Sequence, residues 1–321
     1  MKKFCLLLAL CLLLTGCSAP SPASDQCTDH VDAGNDGLCD QCGVSVMVVI
    51  DFYTINDLHG KIADGDDHPG VDELTTYLKN AKNTDDHVVL LSAGDMWQGS
   101  SESNLTQGLI ATDWMNHMDF AAMCLGNHEY DWGQEPVKKN AEQANFPLLA
   151  INVYDRSTDQ QVSYCQSSVT VERGGVKIGI IGAIGDCYSS ISKDKVSDIY
   201  FKVEDELTKL VKDEATKLRN DGADYIVYLL HDGYEQSKSS SVTSVAGSQL
   251  KYYYDASLSD GYVDLVFEGH THQRYILKDE YGVYHLQNKG DNKGISHVEI
   301  GINTANGSNS VRYADLVSTG T

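Results

Sequence analysis

Val46-Met-Val-Val-Ile-Asp-Phe-Tyr-Thr-Ile55 runs directly into Asn56-Asp57-Leu58-His59-Gly60. The first ten residues are largely apolar or β-branched and read as a strand. The next five set a carboxylate and an imidazole two positions apart, just past its end. On an extended backbone such a pair projects to one side. A strand end is also where a rigid sheet can aim side chains into a cleft.

The same grammar recurs downstream. His87 to Ala93, Ala121 to Leu125, Pro147 to Val153, Val176 to Ile184, Ala223 to Leu230 and Val263 to Glu268 read as strands. Leucines at helical spacing make Val203 to Arg219 the clearest helix, ended by Asn220-Asp-Gly222. Alternation of the two patterns argues for an α/β fold. After Gly269 only strands follow, in Gly282 to Gln287, Gly294 to Ile302 and Ser310 to Val317. No internal repeat is visible, and Ser237 to Ser248 reads as a polar surface loop.

Five clusters stand at these strand ends. After Asp57 and His59 come Gly94-Asp95, then Gly126-Asn127-His128-Glu129 with Asp131 beyond, then His231-Asp232-Gly233, then Glu268-Gly-His270-Thr-His272. Carboxylate, imidazole and amide oxygen together suit Zn²⁺, Mn²⁺ or Fe better than Mg²⁺ or Ca²⁺, which favour oxygen alone. The neighbouring glycines allow sharp turns and close approach.

The N-terminal end has its own character. Lys2 and Lys3 precede an apolar run from Phe4 to Leu14, too short to span a membrane and typical of an export signal. It closes on Leu14-Thr15-Gly16-Cys17, which resembles the lipobox of bacterial lipoproteins. That resemblance implies a signal over residues 1–17, a lipid on Cys17 and a lipid-anchored domain outside the cytoplasm; an ordinary secretory peptide cut near Ala19 is the other reading. Residues 18–26 have the composition of a flexible tether.

Residues 27–43 then present Cys27-x₂-His30-x₈-Cys39-x₂-Cys42, two close pairs of ligands that suit tetrahedral Zn²⁺ in a segment too small for a core. Asp32-Ala-Gly-Asn-Asp36-Gly37 hints instead at a calcium loop, although Gly34 and Gly43 stand where ligands are needed. An exposed disulfide-bearing spacer is the third reading. Of nine cysteines, Cys124, Cys165 and Cys187 lie in or beside apolar segments and read as buried thiols, with one disulfide open.

The 321 residues carry a formal net charge of −22, or −24 once Lys2 and Lys3 leave with the signal. This argues against nucleic-acid binding through a basic patch. An acidic protein that handles a phosphate must neutralise it locally, and bound cations do so most strongly.

The order D-x-H, G-D, G-N-H-E, H, G-H-x-H resembles the calcineurin-like metallophosphoesterase superfamily over roughly Val48 to Val317. Within it, Asp95-Met-Trp-Gln-Gly99, Glu102-Ser-Asn-Leu105 and Gly126-Asn-His-Glu-Tyr-Asp131 are similar to the 5′-nucleotidase branch. The resemblance implies a four-layer αββα sandwich over residues 46–321 with the site at the C-terminal edges of the sheets. It further implies two divalent ions, one on Asp57, His59 and His272, the other on Asn127, His231 and His270, with Asp95 between them. His128, oriented by Asp131, would stabilise charge on the phosphoryl group or protonate the leaving oxygen. The substrate would be a small phosphate monoester, a nucleotide first. A phosphodiesterase or nucleotide-sugar hydrolase is the nearest alternative, and a non-catalytic ligand-binding lipoprotein is the alternative of another class. With Thr321 soon after the last strand, the resemblance is expected to extend to the catalytic domain and not to the second, nucleoside-stacking domain of full-length relatives.

Other residues invite plainer readings. His68, His87, His117, His285 and His297 read as surface or satisfied core histidines, and Asp64, Asp66 and Asp67 as a solvated turn. Gln287 and Asn288 either face the cleft or hold structure. Trp97 and Tyr130 either stack a base or cover the site with apolar surface.

Overall fold

The protein is described by a computed structural model covering residue 27 and residues 29–66, 68–233, 262–279 and 281–318. The signal and Cys17, the tether, Asp67 and the Ser237 to Ser248 loop lie outside these residues. Along the chain come β1 (Met47–Ile55), α1 (Asp72–Thr84), β2 (Val88–Ser92), α2 (Ser101–Thr106), α3 (Leu109–Met118) and β3 (Ala122–Cys124). Next are α4 (Gln134–Gln143), β4 (Leu148–Leu149), β5 (Val153–Asp155), β6 (Gln160–Gln161), β7 (Ser168–Arg173), β8 (Val176–Ile184) and β9 (Ile199–Phe201). The last are α5 (Glu204–Asn220), β10 (Tyr225–His231), β11 (Leu265–Glu268), β12 (Tyr275–Lys278), β13 (Tyr284–Gln287), β14 (Gly294–Asn303) and β15 (Asn309–Ser318).

Two six-stranded sheets result, ordered β15-β14-β1-β2-β3-β4 and β12-β13-β11-β10-β8-β7, beside a small sheet β6-β5-β9. Side-chain alternation explains the layering. Ile50, Phe52, Val89 and Leu91 of the first sheet meet Ile178, Ile180, Val227, Leu229 and Phe267 of the second. The intervening residues Tyr53, Ile55, Val88 and Leu90 face outward, where Leu74 and Leu78 of α1 and Met115 of α3 cover them. On the other side Ile181, Ala183, Ile226 and Tyr228 pack under Leu207, Val211, Ala215 and Leu218 of α5. The arrangement is the four-layer αββα sandwich that the resemblance implied. Strands buried on both faces read as near-continuous apolar runs, which is why they stood out in the sequence.

β1 to β4 run parallel, as do β8, β10, β11 and β13. Their register aligns Ile55 with Ser92 and His231 with Ile184. Every motif therefore leaves its sheet at one edge.

The expected strand Pro147 to Val153 is two strands, since Leu148 and Leu149 join the first sheet while Val153 starts the small one. At Ala150 to Asn152 the chain turns between sheets, Ala150 N–H bonding the Gln166 carbonyl and Ile151 N–H that of Gly182. Helices α1 to α4 and strands β7, β9 and β12 had no clear sequence signal. α1 buries only Leu74 and Leu78, and β7 is half exposed.

Candidate metal centre

The backbone at five of the seven ligand positions is left-handed and not extended. Asp57, His59, Asp95, His270 and His272 have φ of +52, +52, +55, +73 and +53°. The expectation that an extended chain projects each pair sideways is thus corrected: the chain turns left-handed at these five ligands, while His231 ends strand β10 and Asn127 is right-handed. Such a conformation costs a non-glycine residue on the order of 1 kcal/mol and persists where the surroundings hold it. Here Asp57 N–H bonds the Gly94 carbonyl at 2.9 Å and His59 N–H the Asp95 carbonyl at 3.0 Å. His270 N–H donates to the Asp57 carboxylate at 2.9 Å.

These turns bring all the strand-end clusters together. His59 Nε2 lies 3.1 Å from His272 Nε2, which is 3.4 Å from Asp57 Oδ1. His231 Nε2 lies 3.0 Å from Asp95 Oδ2 and 3.3 Å from Asn127 Oδ1. The His270 ring stands 5.6 Å from that of His231. Asp57 and Asp95 are buried, and among the described residues neither meets a lysine or arginine.

Hydrogen bonds set which ring nitrogen faces inward. His59 Nδ1–H donates to the Gln98 carbonyl at 2.8 Å, and His231 Nδ1–H to that of Ala93 at 2.6 Å. Each ring therefore turns its Nε2 into the cleft, and the atoms it faces are a carboxylate, an amide oxygen or another imidazole. Acceptors gathered in a buried pocket call for positive charge among them, and a proton on His231 or a bound metal ion supplies it. Burial disfavours charge on His231, yet Asp95 pushes it up to about 10. Burial likewise opposes charge on Asp95, and His231 holds its carboxyl below the usual carboxylate range. The donor set fits divalent ions with mixed nitrogen and oxygen ligands.

His128 Nδ1 sits 2.7 Å from Asp131 Oδ2, and its backbone N–H donates to Asp95 Oδ1 at 2.8 Å. The Asp131 hydrogen bond, opposed by burial, raises His128 to about 9. Its ring is partly exposed and 5.2 Å from that of His59, so it borders the cleft.

Several residues that hold the site were quoted in the motifs without a role. Glu129 is wholly buried and accepts from four amides, those of Asp95 (2.9 Å), Met96 (2.8 Å), Trp97 (3.3 Å) and Gly126 (2.6 Å). Gly126 is required for space, since a Cβ there would fall 2.2 Å from Asp95 Oδ1. The Gln287 amide donates to Thr271 and Tyr275, and the Asn288 backbone N–H and carbonyl pair with the Asn56 side chain, so both residues brace ligand loops. Trp97 and Tyr130 are fully buried. They are core, and the base-stacking reading is withdrawn. Cys187 approaches His231 and His270, but its thiol donates to the His231 carbonyl at 2.9 Å and burial raises it well above its ordinary value, so it stays protonated. Cys124, Cys165 and Cys187 are free and buried. His285 pairs with Glu268 and Asp279, and His297 with Asp51, as satisfied histidines.

Comparison with known proteins agrees with this geometry. Residues 50–274 match the family described as Calcineurin-like phosphoesterase. A 5′-nucleotidase of Vibrio cholerae is 30% identical over 192 residues, 60% of this chain and 33% of that protein. An apyrase of Tabanus yao is 29% identical over 231 residues, 68% of this chain and 38% of its own length. The chain therefore spans about a third of the length of these curated relatives. The crystal structure of the calcineurin-like phosphoesterase YfkN from Bacillus subtilis superimposes with a TM-score of 0.67 at 19% identity, covering 85% of this chain and 91% of that one. With the family matched over most of its length and the sandwich in place, this chain belongs to the calcineurin-like phosphoesterases, a family of metal-dependent phosphoesterases.

Proposed function

We propose that the protein hydrolyses phosphate monoesters, nucleotides foremost, at a dinuclear metal centre outside the cytoplasm, held to a bacterial membrane by a lipid on Cys17. The observation that carries the reading is the inward facing of His59 and His231 Nε2 toward other ligand atoms, with Asp57 and Asp95 buried beside them. Asp57, His59 and His272 would hold one ion and Asn127, His231 and His270 the other, with Asp95 between. Such ions, when bound, offset phosphate charge, polarise phosphorus and activate water. The chain's own part is positional and electrostatic. Asp131 orients His128, whose outward ring nitrogen is placed to donate to a phosphoryl oxygen or to the departing alkoxide. The nucleotide assignment and the location rest on the likeness to 5′-nucleotidases and apyrases and on the N-terminal sequence. Fully buried Trp97 and Tyr130 contribute no base recognition.

The test is hydrolysis of AMP and p-nitrophenyl phosphate by the full chain with Zn²⁺ or Mn²⁺. His128→Ala should lose about 10²- to 10⁴-fold in kcat with its metal content intact. Asp95→Ala should lose metal and activity together. Faster cleavage of bis(p-nitrophenyl) phosphate than of the monoester would reassign the protein as a diesterase. A metal-loaded wild type inert to both would make it a binding protein.

A further inference from the structure

A second constellation lies away from the cleft. In the segment before β1, Cys27 Sγ is 3.7 Å from Cys39 Sγ and 3.5 Å from His30 Nδ1, and Cys42 Sγ is 3.6 Å from the same nitrogen. All four donors lie within 4.8 Å of one another. With Zn–S of about 2.3 Å and Zn–N of about 2.0–2.1 Å, a regular tetrahedron places sulfurs about 3.8 Å apart and sulfur about 3.6 Å from nitrogen. The three measured edges match that figure. They are far from the separation of about 2.05 Å in a disulfide.

We propose that Cys27, His30, Cys39 and Cys42 bind one structural Zn²⁺, making the segment a metal-clamped spacer docked on the end of the sandwich remote from the cleft. The segment has no core of its own. Of residues 29–45 only Asp32, Gly37 and Cys39 are buried, while Val31, Leu38 and Val44 are exposed. A cross-link must supply what apolar burial does not. Local backbone prepares the site: Gly43 N–H bonds the Cys39 carbonyl at 2.7 Å with Gly43 at φ +70°, and Cys39 N–H bonds the Val44 carbonyl at 2.8 Å. This turn presents Cys39 and Cys42 together.

Asp32, the first residue of the calcium-like stretch, is already satisfied. Its carboxylate accepts from Asp36 N–H (3.0 Å), Gly37 N–H (2.8 Å) and Asn303 Nδ2 (2.7 Å). The Asn303 bond ties the segment to the turn joining β14 and β15, and Val46 N–H adds a bond to the Gly37 carbonyl at 2.9 Å. That attachment is at the start of β1, while the catalytic motif follows its end. Nine strand residues separate them, on the order of 30 Å. The clamp therefore serves placement of the catalytic domain and not its chemistry.

The test is Co²⁺ loading of the reduced full chain, read by the thiolate-to-cobalt charge-transfer band, beside zinc analysis. The band should appear in the wild type and persist in Asp95→Ala, whose catalytic centre is impaired. Cys42→Ser should lose the band's intensity and bind one zinc fewer per chain, with phosphatase activity unchanged. Absence of the band from the wild type overturns the proposal. So does an intact mass, taken without reductant on freshly isolated protein, that places two of these three cysteines in a disulfide.

Discussion

Glu129 joins the loop after β2 to the loop after β3 by taking four backbone amides on two carboxylate oxygens. Burial, reinforced by Asp95, raises its carboxyl to about 7, yet the amides favour the anion. Glu129→Gln would turn an NH₂ group toward N–H donors that now meet an oxygen. An unsatisfied buried donor costs about 1–3 kcal/mol. The variant should melt several degrees lower and bind zinc at the catalytic centre more weakly, by calorimetric titration. Wild-type values for both would remove Glu129 from the positioning of the ligands. Its importance is not legible from residue type, since a glutamate inside a ligand motif reads equally well as a ligand.

Helix α5 shows how an element is attached. Leu207, Val211 and Ala215 are fully buried against the second sheet, whereas Lys209 and Asp213 pair on the solvent face. Leu207→Ala should cost about 2–5 kcal/mol through lost burial and the cavity it leaves. Lys209→Ala should be near neutral, because exposed pairs contribute little. Urea denaturation of both variants decides this, and equal losses would contradict the packing assigned to α5. The periodicity of α5 was readable because one face is apolar over its whole length. Helices α1 and α4 bury few residues, and neighbouring layers sustain them where their own pattern does not.

At the scale of the whole molecule, stability should depend on pH through His285. Burial works against its charge, but Glu268 and Asp279 overcome that and raise it to about 9. A group raised from its ordinary 6.5 stabilises fully below pH 6.5, and the contribution is lost as pH climbs through about 9. The difference in melting free energy between wild type and His285→Gln should shrink by at least about 1 kcal/mol over that interval. A difference constant with pH would mean that His285 is neutral in the fold. The same network, through Glu268, Tyr275 and Gln287, backs the loop bearing His270 and His272, so the variant also tests whether that loop keeps its metal.

The strand runs, the α/β class and the order of the clusters were legible in the residues alone, because strands buried on both faces are apolar throughout and ligands cluster beside glycines. The resemblance to the phosphoesterases, carried by those clusters, singled out the seven residues that the structure brings to one edge. Long-range contacts alone set the left-handed turns at Asp57, His59, Asp95, His270 and His272, the inward choice of ring nitrogen, the burial of Trp97 and Tyr130, and the splitting of Pro147 to Val153 between two sheets. Each of these depends on a partner distant in the chain: the Gln98 and Ala93 carbonyls for the two rings, Gly94 for Asp57, and the neighbouring sheet for Ile151. Local pattern records what a residue prefers, and these outcomes were set by what it meets.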